Sequence, residues 1–247
     1  TSIVVGDRVD LVGDTSGAEG SLARIVRIQD RATVLRRTAD DTDPVERVIV
    51  ANADQLVIVT ALADPEPRPR MVDRCLVAAY DAGMDPLLLL TKADLAAPQD
   101  FLATYAPLGV PHLVTTTTDF GQGLDDLRAA LAGRVSVLVG HSGVGKSTLV
   151  NALVPEADRA TGQVNDVTGR GRHTSTSAIA LELPDPGGWV IDTPGVRSFG
   201  LAHVDPERII VHFPDLEAGT DGCPRGCSHD EAECALVKLK DSGIETI

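Results

Sequence analysis

Lysine is scarce in this chain and positive charge is outnumbered. The 247 residues include only Lys92, Lys146, Lys238 and Lys240 as lysines, and 36 acidic side chains against 22 basic ones give a formal net charge of −14. General nucleic-acid binders draw most of their affinity from phosphates neutralised by Lys and Arg. That class is therefore excluded, and any RNA contact requires a local basic patch. Long apolar runs are missing as well. Stretches such as Leu56 to Ala63 and Leu87 to Leu90 fall far short of the roughly 20 residues that a membrane-spanning helix needs. No basic segment followed by an apolar one opens the chain, so it carries no sign of an export leader. The expectation is a soluble, cytoplasmic, monomeric protein that engages no membrane. Thr1 stands where a Met would start a chain and lies within strand-like sequence, which leads us to expect that the true N-terminus is missing.

What is present has the composition of a folded protein, with 43% hydrophobic and 23% charged residues, and a length that predicts one to three domains. Residues 3–50 carry short β-type runs, Arg8 to Val12, Ser21 to Ile28 and Ala32 to Arg37, separated by Gly- and Asp-rich turns. Between residues 21 and 38 stand Arg24, Arg27, Arg31, Arg36 and Arg37 with Asp30 as the one acid. This basic stretch reads either as a solvated strand face or as an RNA contact. From residue 52 the texture changes. Leu56 to Thr60, Leu87 to Leu90, His112 to Thr115, Val135 to Val139 and Trp189 to Ile191 read as buried strands, alternating with helices over Pro69 to Tyr80, Phe101 to Tyr105, Leu124 to Leu131 and Ser147 to Leu153. Such alternation implies a parallel sheet covered on both faces. Thr174 to Leu183 has the alternation of an edge strand.

Gly140-His141-Ser142-Gly143-Val144-Gly145-Lys146-Ser147, continuing into Thr148, follows a strand and opens a helix. That is the context of a phosphate-binding loop. Its backbone N–H groups converge on phosphates, the helix N-terminus adds partial positive charge, Lys146 reaches the outer phosphates, and Ser147 offers a hydroxyl to magnesium. Thr91-Lys92-Ala93-Asp94 sits at the C-terminal end of another strand, where ligands of open parallel sheets bind. A carboxylate at Asp94 can accept both the ring N–H and the exocyclic amine of guanine, which adenine cannot offer, and the Lys92 stem can lie along the base. Thr115 to Thr118 is a candidate for the loop that backs the guanine. Asp192-Thr193-Pro194-Gly195 ends a further strand; Asp192 can hold the metal through water and the Gly195 N–H can contact a γ-phosphate. Between the phosphate loop and the Asp192 to Gly195 turn, the polar Gly169 to Thr176 segment is a candidate switch, with Thr174 or Thr176 completing the magnesium shell.

Cys223, Cys227, His229 and Cys234 form a Cys-x3-Cys-x-His-x4-Cys cluster. Three thiolates and an imidazole suit a closed tetrahedral zinc site, which would supply the folding energy that so short a tail lacks. The remaining cysteine, Cys75, lies in an apolar helix and reads as a small hydrophobe.

The guanine-type motif precedes the phosphate loop here, an order that marks the circularly permuted GTPases. Together with the Gly-x-Gly-x-His-Thr segment, the all-β N-terminal region and the Cys/His tail, it makes the chain resemble the RsgA (YjeQ) family of ribosome small subunit-dependent GTPases. The resemblance implies an α/β fold in three parts: an OB-like β-barrel over 1–50, a permuted P-loop GTPase domain over 51–197 and a zinc-binding α-helical domain over 198–247. It implies hydrolysis of GTP to GDP with magnesium, and a partner in the small ribosomal subunit and its rRNA, met through the barrel and the zinc domain. Val196 occupies the place where many GTPases carry a water-orienting Gln. Slow intrinsic turnover is expected, with His173 the best substitute for that Gln and Arg170 and Arg172 neutralising charge or touching RNA. Because Gly195 leads into the C-terminal segment, we expect a nucleotide-driven change to move that tail. A nucleotide-gated RNA-binding module with incidental turnover, a permuted GTPase acting on the large subunit or another RNA, and an ATPase are the alternatives.

Overall fold

The computed structural model describes residues 2–42, 45–116, 121–155, 178–184, 187–195, 199–229 and 231–241. The chain opens with two antiparallel pairs, β1 (Val9–Gly13) with β2 (Ala23–Ile28) and β3 (Val34–Arg37) with β4 (Arg47–Ala51). Among the described residues the pairs are hydrogen-bonded as separate ladders, and a parallel bridge joins Val5 to Val50. β4 was not among the strands expected. Its Val48-Ile49-Val50 run is β-branched throughout but too short to alternate over several residues.

The main body follows as β5 (Gln55–Ala61), α1 (Pro69–Asp81), β6 (Asp85–Thr91), α2 (Gln99–Tyr105), β7 (His112–Val114), α3 (Gly121–Leu131), β8 (Val135–Val139), α4 (Lys146–Leu153), β9 (Ile179–Glu182) and β10 (Trp189–Asp192). The six strands form one sheet in the order β7-β6-β5-β8-β10-β9, parallel except for β9, which runs antiparallel on the edge. Because side chains alternate across a strand, Leu56, Ile58, Leu88, Leu90, Val137 and Val139 enter the core under α1 and α2. Val57, Val59, Leu87, Leu89, Leu138 and Val190 enter the core under α3 and α4. Burial on both faces explains the continuous apolar runs.

α1 shows how punctuation fixes these elements. Pro69 opens it with its φ already helical and no N–H to waste. Gly83, at φ +68°, closes it: its N–H bonds Tyr80 O at 3.0 Å and the Met84 N–H bonds Ala79 O at 2.9 Å, a Schellman cap.

Residues 1–202 make one compact unit and 203–247 a second. Leu35 and Val50, each 1% exposed, belong to the same core as α1 and the central strands, so the β3–β4 pair has no core of its own. The second unit holds α5 (Pro206–Ile210), α6 (Pro214–Gly219) and α7 (Ala235–Asp241), with the cysteine segment before α7.

Candidate nucleotide site and metal centre

β5 and β8 are neighbours whose outgoing connections leave in opposite directions, α1 leading to β6 and α4 toward β10 on the other face. The crevice beyond their carboxyl ends is where open α/β sheets bind ligands, and Gly140 to Ser147 lies there. Gly140 passes so close to β5 that a Cβ would stand 2.3 Å from Val59 O. Gly143 and Gly145 hold φ of +85° and +99°, conformations that other residues rarely adopt. Lys146 is the first residue of α4 and only 7% exposed; its Nζ donates to Gly140 O at 2.9 Å. His141 Nδ1 donates to Ser142 O at 2.8 Å, whereas Ser142, Ser147 and Thr148 are exposed.

Asp192, at the end of β10, stands near enough to Lys146 that each affects the other's titration. Burial pushes the Asp192 carboxyl up while Lys146 opposes it, and burial pushes the Lys146 ammonium down while Asp192 opposes it. Asp192 Oδ1 is buried with no hydrogen-bond partner. Such an orphaned acceptor fits a hydrated cation or a ligand donor. The turn after it is fixed against the loop: Thr193 Oγ1 donates to Leu138 O at 2.6 Å, and a Cβ on Gly195 would stand 3.2 Å from Ser142 N. Thr193 was not singled out from sequence, since a threonine in a strand-end turn carries no signal by itself.

The base-type motif joins the same site. Thr91, 4% exposed, donates its hydroxyl to Val144 O at 2.6 Å, tying the end of β6 to the phosphate loop. Lys92 adopts φ +63° and its Nζ donates to Asp64 O in the β5–α1 loop. That loop also borders the phosphate loop, since a Cβ on Gly143 would meet Pro65 Cδ at 3.5 Å. Asp94 is exposed. Ala93 N donates to Thr115 O at 3.1 Å and Thr115 N to Leu90 O at 2.8 Å, so the first of the four threonines braces the motif. Thr117 and Thr118 lie outside the described residues, as do Arg170, Arg172, His173, Thr174, Thr176 and Val196.

The five N-terminal arginines separate. Arg31 is spent internally, its guanidinium bonded to both carboxylate oxygens of Asp7 at 2.7 and 2.8 Å, with the Asp7 side chain 1% exposed. Arg36 pairs with Glu46 at 3.2 Å on the surface, and Arg37 also has a partner. Arg24 and Arg27 lie on the exposed β2. Three residues apart, they would point to opposite faces of a regular strand. A bulge shifts the register, so that Arg24 stands opposite Val12 and Arg27 opposite Asp10. Asp10 and Val12 share a face, and the two arginines therefore share it too.

In the second unit, the ligand atoms of Cys223, Cys227, His229 and Cys234 all lie within 4.8 Å of one another. Cys223 Sγ is 3.8 Å from Cys234 Sγ and 3.7 Å from His229 Nδ1, which is 3.6 Å from Cys234 Sγ. A tetrahedral ion with legs of about 2.3 Å to sulfur and about 2.0–2.1 Å to nitrogen imposes edges of about 3.8 and 3.6 Å. The four side chains fit a metal ion. His229 at φ +65° and Gly226 at φ +76° turn the backbone around the site. Glu231, not anticipated, accepts from Ser228 N at 3.1 Å and, while Cys227 keeps its thiol proton, from Cys227 Sγ at 3.1 Å, a bond that a metal-bound thiolate would give up.

A model of the RsgA GTPase family matches residues 28–202. The chain is 43% identical to the "Small ribosomal subunit biogenesis GTPase RsgA" of Pseudomonas syringae pv. syringae, an alignment covering 99% of this chain and 71% of that protein. It is 40% identical to the protein of the same name from Pseudomonas aeruginosa, over 98% and 71%. Among solved structures it resembles YjeQ from Thermotoga maritima, with a TM-score of 0.68, 30% identity and coverage of 98% of this chain and 78% of that one. It also resembles YloQ, described as a circularly permuted GTPase, with a TM-score of 0.63, 25% identity and coverage of 100% and 77%. The strand that carries the phosphate loop follows the strand of the base-type motif in this chain as well, so sequence, strand order and likeness agree: the chain belongs to the RsgA GTPase family.

Proposed function

We propose that this chain hydrolyses GTP to GDP and phosphate and acts in maturation of the small ribosomal subunit. The reading is carried by the meeting of three motifs from β6, β8 and β10 at one sheet edge, joined by the bond from Thr91 to Val144 O. Lys146 and the amides of residues 140–148 hold the phosphates of GTP, while Asp94 selects guanine and Lys92 stacks its stem on the base. Ser147, a threonine of the switch (Thr174 or Thr176) and Asp192 through water hold magnesium, which when bound neutralises charge on the phosphates. The Gly195 N–H meets the γ-phosphate. His173 orients the attacking water, and Val196 in place of a Gln keeps unstimulated turnover slow. Cys223, Cys227, His229 and Cys234 hold one zinc ion that staples the second unit. Arg24 and Arg27, sharing one exposed face of β2, meet rRNA, with Arg36, Arg37, Arg170 and Arg172 as further contacts.

The test is GTP turnover with and without purified small subunits, with ATP and large subunits as controls. Stimulation of GTP turnover by small subunits alone is expected. Turnover of ATP at the same rate would remove the guanine assignment, and equal stimulation by large subunits would remove the partner.

A further inference from the structure

The segment that follows the Asp192–Gly195 turn does not run free. Phe199 to Ala202 is fastened to the end of β3 and to α1. Thr38 N donates to Gly200 O at 3.0 Å and Gly200 N to Thr38 O at 3.2 Å, forming an antiparallel bridge. Ala202 N donates to Thr38 Oγ1 at 3.3 Å and Leu201 N to Asp41 Oδ1 at 3.1 Å. Arg74 of α1 completes the fastening: it pairs with both carboxylate oxygens of Asp41 and donates from Nη1 to Phe199 O at 3.1 Å. Gly200 has no room to move toward the loop, since a Cβ there would stand 2.4 Å from Thr38 Oγ1 and 2.5 Å from Asp40 O.

Three pieces of chain therefore meet at one guanidinium. One is the β3–β4 loop, one is the segment four residues beyond Gly195, and the third is α1, whose apolar face is packed into the sheet. Four residues span at most about 14 Å, so the fastened Phe199 bounds how far Gly195 can move away from it. The stabilising worth of the Asp41–Arg74 pair is small, because its side chains are 53% and 37% exposed and surface pairs contribute about 0–1 kcal/mol. A groove of about 710 Å³ opens beside it, lined in part by Arg68, Met71, Arg74 and Phe199, so truncation at Arg74 leaves no sealed void. What the pair fixes is position.

We propose that Arg74 is a positioning residue for the GTPase reaction, holding the Phe199–Ala202 segment on the β3–β4 loop so that the γ-phosphate-facing turn and the N-terminal β segment respond together. The proposal rests on the reading of Asp192–Gly195 given above, and it directs the nucleotide signal toward the N-terminal strands as well as toward the tail. GDP has no γ-phosphate for the Gly195 N–H to meet, so it draws less on that turn than GTP does. Loss of the clamp therefore affects the triphosphate selectively, whereas general damage affects both nucleotides.

The experiment measures the affinities of the intact chain for GDP and for a non-hydrolysable GTP analogue, with hydrogen exchange at the amides of Gly200, Leu201 and Ala202. In the wild type, exchange at these amides differs between the two nucleotides by about fivefold or more. In Arg74→Ala, GDP affinity stays at the wild-type level, analogue affinity falls about fivefold or more, and the exchange difference collapses. Arg74→Lys keeps the charge but not the fork, and restores the effect only in part. Gly200→Ala, which displaces the segment without touching α1, reproduces Arg74→Ala and serves if that variant folds poorly. An unchanged analogue-to-GDP ratio in both variants overturns the proposal, and so does an equal loss for both nucleotides. A wild type that binds neither nucleotide removes the GTPase reading and this proposal with it.

Discussion

Thr91 replaces speculation about two separate loops with one bond. Its buried hydroxyl donates to Val144 O, so the base-type motif and the phosphate loop hold each other in place. Thr91→Val keeps shape and deletes the donor. Leaving a buried acceptor unpaired costs about 1–3 kcal/mol, read as a lower urea midpoint. Guanine-nucleotide affinity is expected to fall roughly fivefold for each 1 kcal/mol lost at the loop, with Thr91→Ser restoring both. Neither partner of this bond could be paired from sequence, because the two are 53 positions apart, although both motifs could be found. Cys75 behaves as its apolar helix foretold: burial pushes its thiol up to about 12. Its proton is retained in the folded chain, so its contribution to stability is whole below the ordinary thiol range near 9 and is lost as pH rises toward about 12. Urea unfolding between pH 7.5 and 10.5 is expected to show an alkaline decline that Cys75→Ala lessens. Tyr105, whose phenol burial raises with help from its bond to Asp73, and Tyr80, raised by burial, add to the decline above about pH 10.

At the scale of elements, the sequence was legible wherever burial on both faces made a run continuous or punctuation was explicit. Val135 to Val139 emerged with its ends intact, and α1, expected over Pro69 to Tyr80, runs from Pro69 to Asp81. It was poorly legible where tertiary contact decides. β4 is held by its pairing with β3 and by Val5, and the bulge in β2 that aligns Arg24 with Arg27 leaves no mark in composition. The cysteine segment is the reverse case, since its residue types declared the site while its backbone turns at His229 and Gly226 could not be read. The short helices of its unit have little core between them, so the metal ion is expected to hold them. Elemental analysis should find one zinc per chain. Cys234→Ser or a strong chelator should remove it and raise hydrogen exchange at the Cys227, Cys234 and Lys238 amides, each bonded in the folded segment. Retained protection after complete metal removal would show that the helices fold without it. Thiol titration should count three newly reactive cysteines in the chelated wild type and two in Cys234→Ser, with Cys75 still silent.

At the scale of the whole molecule, a charge of −14 must be reconciled with a partner made largely of RNA. The reconciliation lies in which arginines are free to act. Of the five in the N-terminal strands, Arg31 is committed to the buried Asp7 carboxylate and Arg36 is compensated by Glu46, while Arg24 and Arg27 share one exposed face. Phosphate contacts release counterions, so each contributes to the slope of log affinity against log salt. Arg24→Ala and Arg27→Ala are each expected to lessen that slope for small-subunit binding by about one while leaving the urea midpoint unchanged. Arg31→Ala should do the opposite. It removes the guanidinium that neutralises and covers the Asp7 carboxylate, which lowers stability, yet only 13% of the Arg31 side chain is exposed, so the salt slope of the folded fraction should hold. If instead Arg31→Ala flattens the slope and Arg24→Ala does not, the rRNA-facing surface lies on the other side of the β segment, and the shared face of β2 has a different partner.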